Sequence, residues 1–201
     1  TNNAIRAARD QAYATGKTPL LKSYYDDVRQ MVDAALAYIA ESDEKEVWWD
    51  SESEVTGIWS EQGVWLRCRF DRLTKDRRVI IDYKSTTDAS PDGFSRQIPR
   101  MGYHIQDAFY RRCLRALGHP SPRFVFLPQE CEPPYDCSLA GCSEALQQIA
   151  DAEVERAVRL WRECVSSGTW PGYPKDICYA EPTSYMIQEH EMRLTMSREY
   201  A

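Results

Sequence analysis

Residues 69–84 read RFDRLTKDRRVIIDYK, with Asp71 in one run of alternating apolar and polar residues and Asp82 and Lys84 in a second. A polar turn separates the runs. An acid, a strand's length and then acid-x-lysine can hold a divalent metal against a phosphodiester. Carboxylate oxygens are hard donors suited to Mg²⁺. A lysine one pleat from a ligand can hold or polarise the water that attacks phosphorus. Backbone between the two ligand-bearing positions passes the metal, which makes the carbonyl of Tyr83 a further ligand. Glu54, on a preceding strand, is a third carboxylate for the same centre.

For this chemistry the two runs must pair. Val64, Leu66, Cys68 and Phe70 alternate with Trp65, Arg67, Arg69 and Asp71. In the next run Val79, Ile81 and Tyr83 alternate with Ile80, Asp82 and Lys84. Such period-two patterns read as half-buried strands. A hairpin closed by a two-residue loop at Asp76-Arg77 sets Asp71 opposite Asp82, with Cβ atoms ~5 Å apart. Two like charges at that distance call for a cation between them. The plainer alternative is that the acids pair with Arg69 and Arg78 at the surface, and Glu54 is an ordinary exposed strand residue. D-x-K alone is a weak signal.

A long helix is expected from about Pro99 to Leu117, ended by Gly118 and Pro120. Gln106 and Tyr110 share one face of it, as do Arg111 and Arg115, each pair four residues apart. The first pair can contact phosphate or orient Lys84, and the second can meet phosphates. Packing of Tyr110 and solvation of the arginines are the plain alternatives. His104, beside these residues, either reaches the site or packs.

The remaining elements fit one layered fold. Thr18-Pro19 opens a helix carrying Leu20, Tyr24, Val28, Met31, Ala35, Leu36 and Ile39 at helical spacing, ending near Ala40. Residues 1–17 form a helical or loose lead-in. Val47 to Trp49 reads as a short strand, and 53–60 as another. Residues 85–92 read as loop, 124–127 as a buried strand, 133–139 as an edge strand and 144–165 as an amphipathic helix. This order gives an α/β fold with a central mixed sheet flanked by helices. The expected organisation is one domain over 1–201: lead-in 1–17, core 18–130, and a C-terminal strand, helix and tail over 131–201. The chain opens on Thr1 without a methionine, compatible with a trimmed N-terminus.

With 201 residues, 43% of them hydrophobic, the chain can bury one sizeable core. No apolar run approaches the ~20 residues of a membrane span. The net charge of −6 disfavours a polyanion partner only as an average. Residues 65–115 carry twelve Lys/Arg against six Asp/Glu, +6 locally and −12 over the rest. The local field steers a polyanion, although a solvated basic face is the alternative. Seven cysteines and no signal peptide point to a reducing, cytoplasmic setting. Cys131, Cys137 and Cys142 have no tight zinc spacing.

Together these segments resemble the PD-(D/E)XK nuclease superfamily and, within it, the RecE-type (exodeoxyribonuclease VIII-like) exonuclease domain of phages and prophages. The resemblance rests on Glu54-Val55-Thr56-Gly57-Ile58-Trp59, Arg67-Cys68-Arg69-Phe70-Asp71, and Ile81-Asp82-Tyr83-Lys84-Ser85-Thr86. It continues through Gly93-Phe94 and Gly102 to Tyr110, which holds a Q-x-x-x-Y signature typical of RecB-like nucleases. It spans roughly 18–130 and implies a restriction-endonuclease-like core. It also implies an Mg²⁺-dependent exonuclease, with Mn²⁺ as substitute, that degrades one strand of duplex DNA 5′ to 3′ from an end. The product is a 3′ tail for recombination. By position, Asp71, Asp82 and the Tyr83 carbonyl are metal ligands, Lys84 the catalytic lysine, and Gln106 and Tyr110 the helix motif. Implied partners are DNA ends, a single-strand annealing protein and further copies in a ring, in a bacterial or phage-infected cell. The family's upstream histidine has no counterpart: His104, His119 and His190 all follow the strands. Two other readings stand beside this one, a Cas4-like iron–sulfur nuclease and a catalytically inert DNA-binding subunit of a recombination complex.

Overall fold

A computed structural model of the protein describes residues 2–120 and 122–199. Four strands, β1 (Ser51–Glu61), β2 (Val64–Thr74), β3 (Val79–Thr86) and β4 (Arg123–Glu130), form one mixed sheet in that order. β1, β2 and β3 are successively antiparallel, and β4 joins β3 in parallel. A parallel pair needs a crossover connection, here α4 (Pro91–Arg100) and α5 (Tyr103–Ala116). Contacts divide the chain into Thr1–Glu163 and Cys164–Ala201. The sheet lies in the first unit, and α7 (Ser184–Glu199) in the second. No helix of the described residues is long and apolar enough to cross a membrane.

Strand alternation buries both faces of the sheet. On one, Cys68, Phe70, Ile80, Phe124 and Phe126 pack with Phe94 and Ile98 of α4 and with Cys113 and Leu114 of α5. Gly57 of β1 lets α5 come close, because a Cβ there would run into Cys113 Sγ. On the other face, Val79, Ile81, Val125 and Leu127 meet Ile39 of α2 (Lys22–Glu41). Val47 and Trp48 of α3 (Lys45–Trp49) close that cluster.

Several expectations about elements need correction, among them the helix start at Thr18-Pro19, which lies at Lys22. Val47-Trp48-Trp49 is helical, not a strand. Its turn sets Trp48 under the Arg72 guanidinium, 4.4 Å from the ring centre, while Arg72 donates to Ser51 Oγ at 2.7 Å. The helix expected from Pro99 is two helices broken at Gly102, whose φ of 72° suits a residue without Cβ. The first begins inside the expected loop. Ser90 caps it by accepting from Gly93 N at 3.1 Å, with Pro91 in the first turn. Residues 133–139 form no strand, and the segment holds β4 through isolated bridges, Gln129 to Cys137 and Phe126 to Ala140.

Of the two α5 arginines expected to meet phosphates, Arg111 also differs from expectation. Arg111 is buried, its Nε donating to Asp107 Oδ1 and its Nη2 to Asp151 of α6 (Glu144–Ser167) at 3.2 Å. Burial pushes the Asp107 carboxyl up, and the Arg111 guanidinium opposes that. Arg111 is thus committed to joining α5 to α6 and is not free to meet a phosphate. Arg115 lies 3.6 Å from the same Asp151. Removing one partner of a buried ion pair strands the other. Arg111→Ala should therefore cost roughly 3–5 kcal/mol in denaturant unfolding, against at most ~1 kcal/mol for Arg115→Ala. Equal small losses would contradict this assignment.

Candidate active site

β2 and β3 part where the expected acids lie. Their registered pairs are Arg72 with Ile81 and Leu73 with Ile80. Extending that register sets Asp71 opposite Asp82, as the hairpin argument requires. The turn differs from the assumed two-residue loop. It spans 75–78, with Arg77 at φ 62°. Thr74 Oγ1 closes it, donating to Asp76 Oδ1 at 2.7 Å and accepting from Val79 N at 2.9 Å.

Past Arg72 the Asp71 carboxylate stands in for a ladder carbonyl and accepts Tyr83 N–H at 3.1 Å. Strict alternation would turn Asp71 away from the Phe70 face. An irregularity prevents this: β1–β2 pairing skips Glu54 and Asp71, and Glu54 has φ 58°. Phe70 and Leu73, three residues apart, consequently share the core face. Glu54 itself is exposed and pairs with Arg69 at 2.8 Å, so the fold does not bring its carboxylate to the other two.

Asp82 is 1% exposed. Its Oδ1 accepts from Gln106 Nε2, and its Oδ2 forms an ion pair with Lys84 Nζ. Burial pushes this carboxyl upward, Asp71 adds to the push, and Lys84 and Gln106 oppose it. Lys84 Nζ also lies 4.9 Å from the Tyr103 ring centre, within cation–π range. Tyr110, four residues on from Gln106, packs edge-on to Phe70 at 5.2 Å. Burial raises its phenol. Tyr103, Gln106 and Tyr110 fall three and then four residues apart, one stripe of α5 laid along the Asp82–Lys84 edge of β3.

A model for the PDDEXK-like domain of unknown function (DUF3799) matches residues 5–183. The chain belongs to this family. Of solved structures, the PDDEXK-like domain is similar to that of a "Putative exonuclease" from Eubacterium rectale. The TM-score is 0.61 at 14% identity, over 93% of this chain and 74% of that one. At that identity the likeness speaks for the fold. A second similar structure, that of SSO0001, has a TM-score of 0.35 at 13% identity, covering 85% of this chain and 77% of that one, and carries no argument. No functionally curated protein matches the sequence.

Two residues of this PDDEXK-like domain escaped the sequence reading. Tyr103 is one, and its i−3 spacing from Gln106 was the available signal. Gln129 is the other, buried at the end of β4, where it accepts the Tyr83 hydroxyl at 2.7 Å and donates to Met31 O at 2.8 Å. It ties Tyr83, between Asp82 and Lys84 on β3, to α2. His104 is buried and spans Ile98 O at 3.4 Å and Glu153 at 3.2 Å, a packing role.

The donors fit a hard divalent cation. Asp82 Oδ2 is buried without a hydrogen bond of sound geometry, the Lys84 ammonium being its counter-charge. No cluster of three or more His, Cys, Asp or Glu forms a ready metal cage among the described residues. Mg²⁺ commonly binds through one or two carboxylates, completing its shell with water and substrate phosphate. Asp71→Asn should weaken Mg²⁺ binding in a calorimetric titration by at least the roughly tenfold that losing an outer-shell partner costs. Glu54→Gln should leave it unchanged. An unaltered Asp71→Asn titration would remove Asp71 from the ligand set.

Proposed function

We propose that this chain is a metal-dependent exodeoxyribonuclease that degrades one strand of double-stranded DNA from an end, 5′ to 3′, leaving 3′ single-stranded tails. The observation that carries this reading is the meeting of Asp71, Asp82, Lys84 and Gln106 where β2 and β3 part. Family membership and fold support a nuclease. Polarity, recombination use, an annealing partner and a ring of copies follow the RecE-type resemblance.

Asp71 and Asp82 would hold the cation, and the Tyr83 carbonyl would be a further ligand. When bound, Mg²⁺ or Mn²⁺ neutralises phosphate charge and lowers the pKa of a coordinated water. Gln106 fixes one oxygen of Asp82, leaving the other to face the site. Lys84 is held between Asp82 and the Tyr103 ring. From there its ammonium aligns the attacking water and stabilises charge developing on the phosphoryl oxygens. Its value lies in the transition state rather than in docking.

Digestion of linear against closed circular plasmid with Mg²⁺ tests the reading. Linear DNA should shorten from its ends, the circle should persist, and EDTA should stop the reaction. Cutting of the circle, or digestion by Asp82→Ala at the wild-type rate, would contradict it. Lys84→Ala should lower the rate by roughly 10²–10³-fold while DNA affinity stays within a few-fold. Equal losses of both would refute the role given to Lys84. Tyr103→Leu should slow cleavage by about tenfold without changing KM, and Tyr103→Phe, which keeps the ring face, should restore the rate. Failure of Phe to rescue would remove the ring from the account.

A further inference from the structure

Among the described residues, the β1–β2 hairpin is covered on one face only. Gly57 and Trp59, and across from them Val64, Cys68 and Phe70, are buried. Every side chain of the intervening set is exposed: Thr56, Ile58 and Ser60 on β1, Trp65, Arg67 and Arg69 on β2. Cross-strand pairing orders them as Thr56 with Arg69, Ile58 with Arg67 and Ser60 with Trp65. Trp65 is 74% exposed and Ile58 54%.

The arginines here differ from most cations nearby. Lys75, Arg77 and Arg112 are held by Asp50, by Glu52, and by Glu61 with Glu155. Arg72 lies on Trp48 and Arg111 is buried. Arg67 has no ion-pair partner among the described residues, and the Arg69–Glu54 pair is exposed at both ends. An exposed pair of that kind is weak and yields to a competing phosphate.

We propose that this face is a track for one single-stranded nucleic-acid segment, with Arg67 and Arg69 on successive phosphates and Trp65 stacked on a base. Positions two apart on a strand stand ~6.6 Å apart, a separation adjacent phosphates of an unstacked chain can match. The track runs along β2 toward the end of the strand, and ~20 Å from Trp65 the Asp71 carboxylate turns to the other face. An outward tryptophan offers its ring face to an unpaired base, which a stacked duplex cannot use. A second copy of the chain fits less well, because a two-fold contact would set Arg67 and Arg69 against themselves. The choice of nucleic acid as occupant rests on the nuclease reading.

The test is anisotropy of a labelled oligothymidylate with the full chain in EDTA, so that binding is read without turnover. Trp65→Ala should weaken binding by about tenfold, and Trp65→Phe by less. Arg67→Ala should make the salt dependence shallower by about 0.7 in log–log slope. Absence of wild-type binding, or wild-type behaviour of both the Trp65→Ala and Arg67→Ala variants, overturns the proposal even if the chain cleaves DNA. Binding lost in these variants supports it even if no cleavage is found. Self-association in sedimentation that Trp65→Ala abolishes, with oligonucleotide binding intact, assigns the face to a second copy and overturns it as well.

Discussion

A carboxylate taken almost wholly out of water imposes conditions on everything around it. Asp82 has given up its hydration inside an α/β core, and its negative charge is tolerable there only with compensation. The fold supplies the Lys84 ammonium on the same strand and the Gln106 amide from α5. Both must be held. Lys84 is held by the Tyr103 ring, and Gln106 by its place on an α5 stripe that Phe70 and Phe124 support through Tyr110. Where β2 leaves β3, Asp71 occupies the vacated hydrogen-bonding position instead of a main-chain carbonyl. A second negative charge thereby comes near the first. The balance struck is short of positive charge near Asp71, which is the condition under which a divalent cation would be favoured there.

Elsewhere the same region spends its cations on structure. The sequence between residues 65 and 115 is strongly basic, yet much of that charge meets acids from outside the window: Asp50, Glu52, Glu61, Asp151 and Glu155. These pairs join the β2–β3 turn to the start of β1, and α5 to β1 and to α6. Local net charge in sequence is therefore not local net charge in space. What remains for a polyanion is sparse, and Arg67 and Arg69 of the outer hairpin face are part of it.

The juxtaposition at the candidate site was legible because it is local in sequence. Asp71, Asp82 and Lys84 sit on two strands joined by a short turn, and alternation places Asp82 with Lys84. The register was inferred from the wrong turn: a threonine side chain, rather than a two-residue loop, closes a longer connection at the same offset. The parts that were not legible depend on distant segments. Nothing near Arg111 announces Asp151, forty residues on, and a helix surface charge is otherwise the ordinary expectation. The swing of Asp71 onto the site face needs the irregular backbone at Glu54, which a period-two pattern cannot express. The short helix at Lys45 was hidden by β-favouring Val and Trp, whereas Ser90-Pro91 was a readable cap that was passed over.

The central claim is that Asp71 and Asp82 share one divalent ion. Anomalous diffraction from crystals grown with Mn²⁺ tests it most directly. The account predicts a peak within ligand distance, roughly 2.0–2.3 Å, of both carboxylates, with Lys84 beside but not on the ion. A peak bound elsewhere, or one touching Glu54 in place of Asp71, would contradict it.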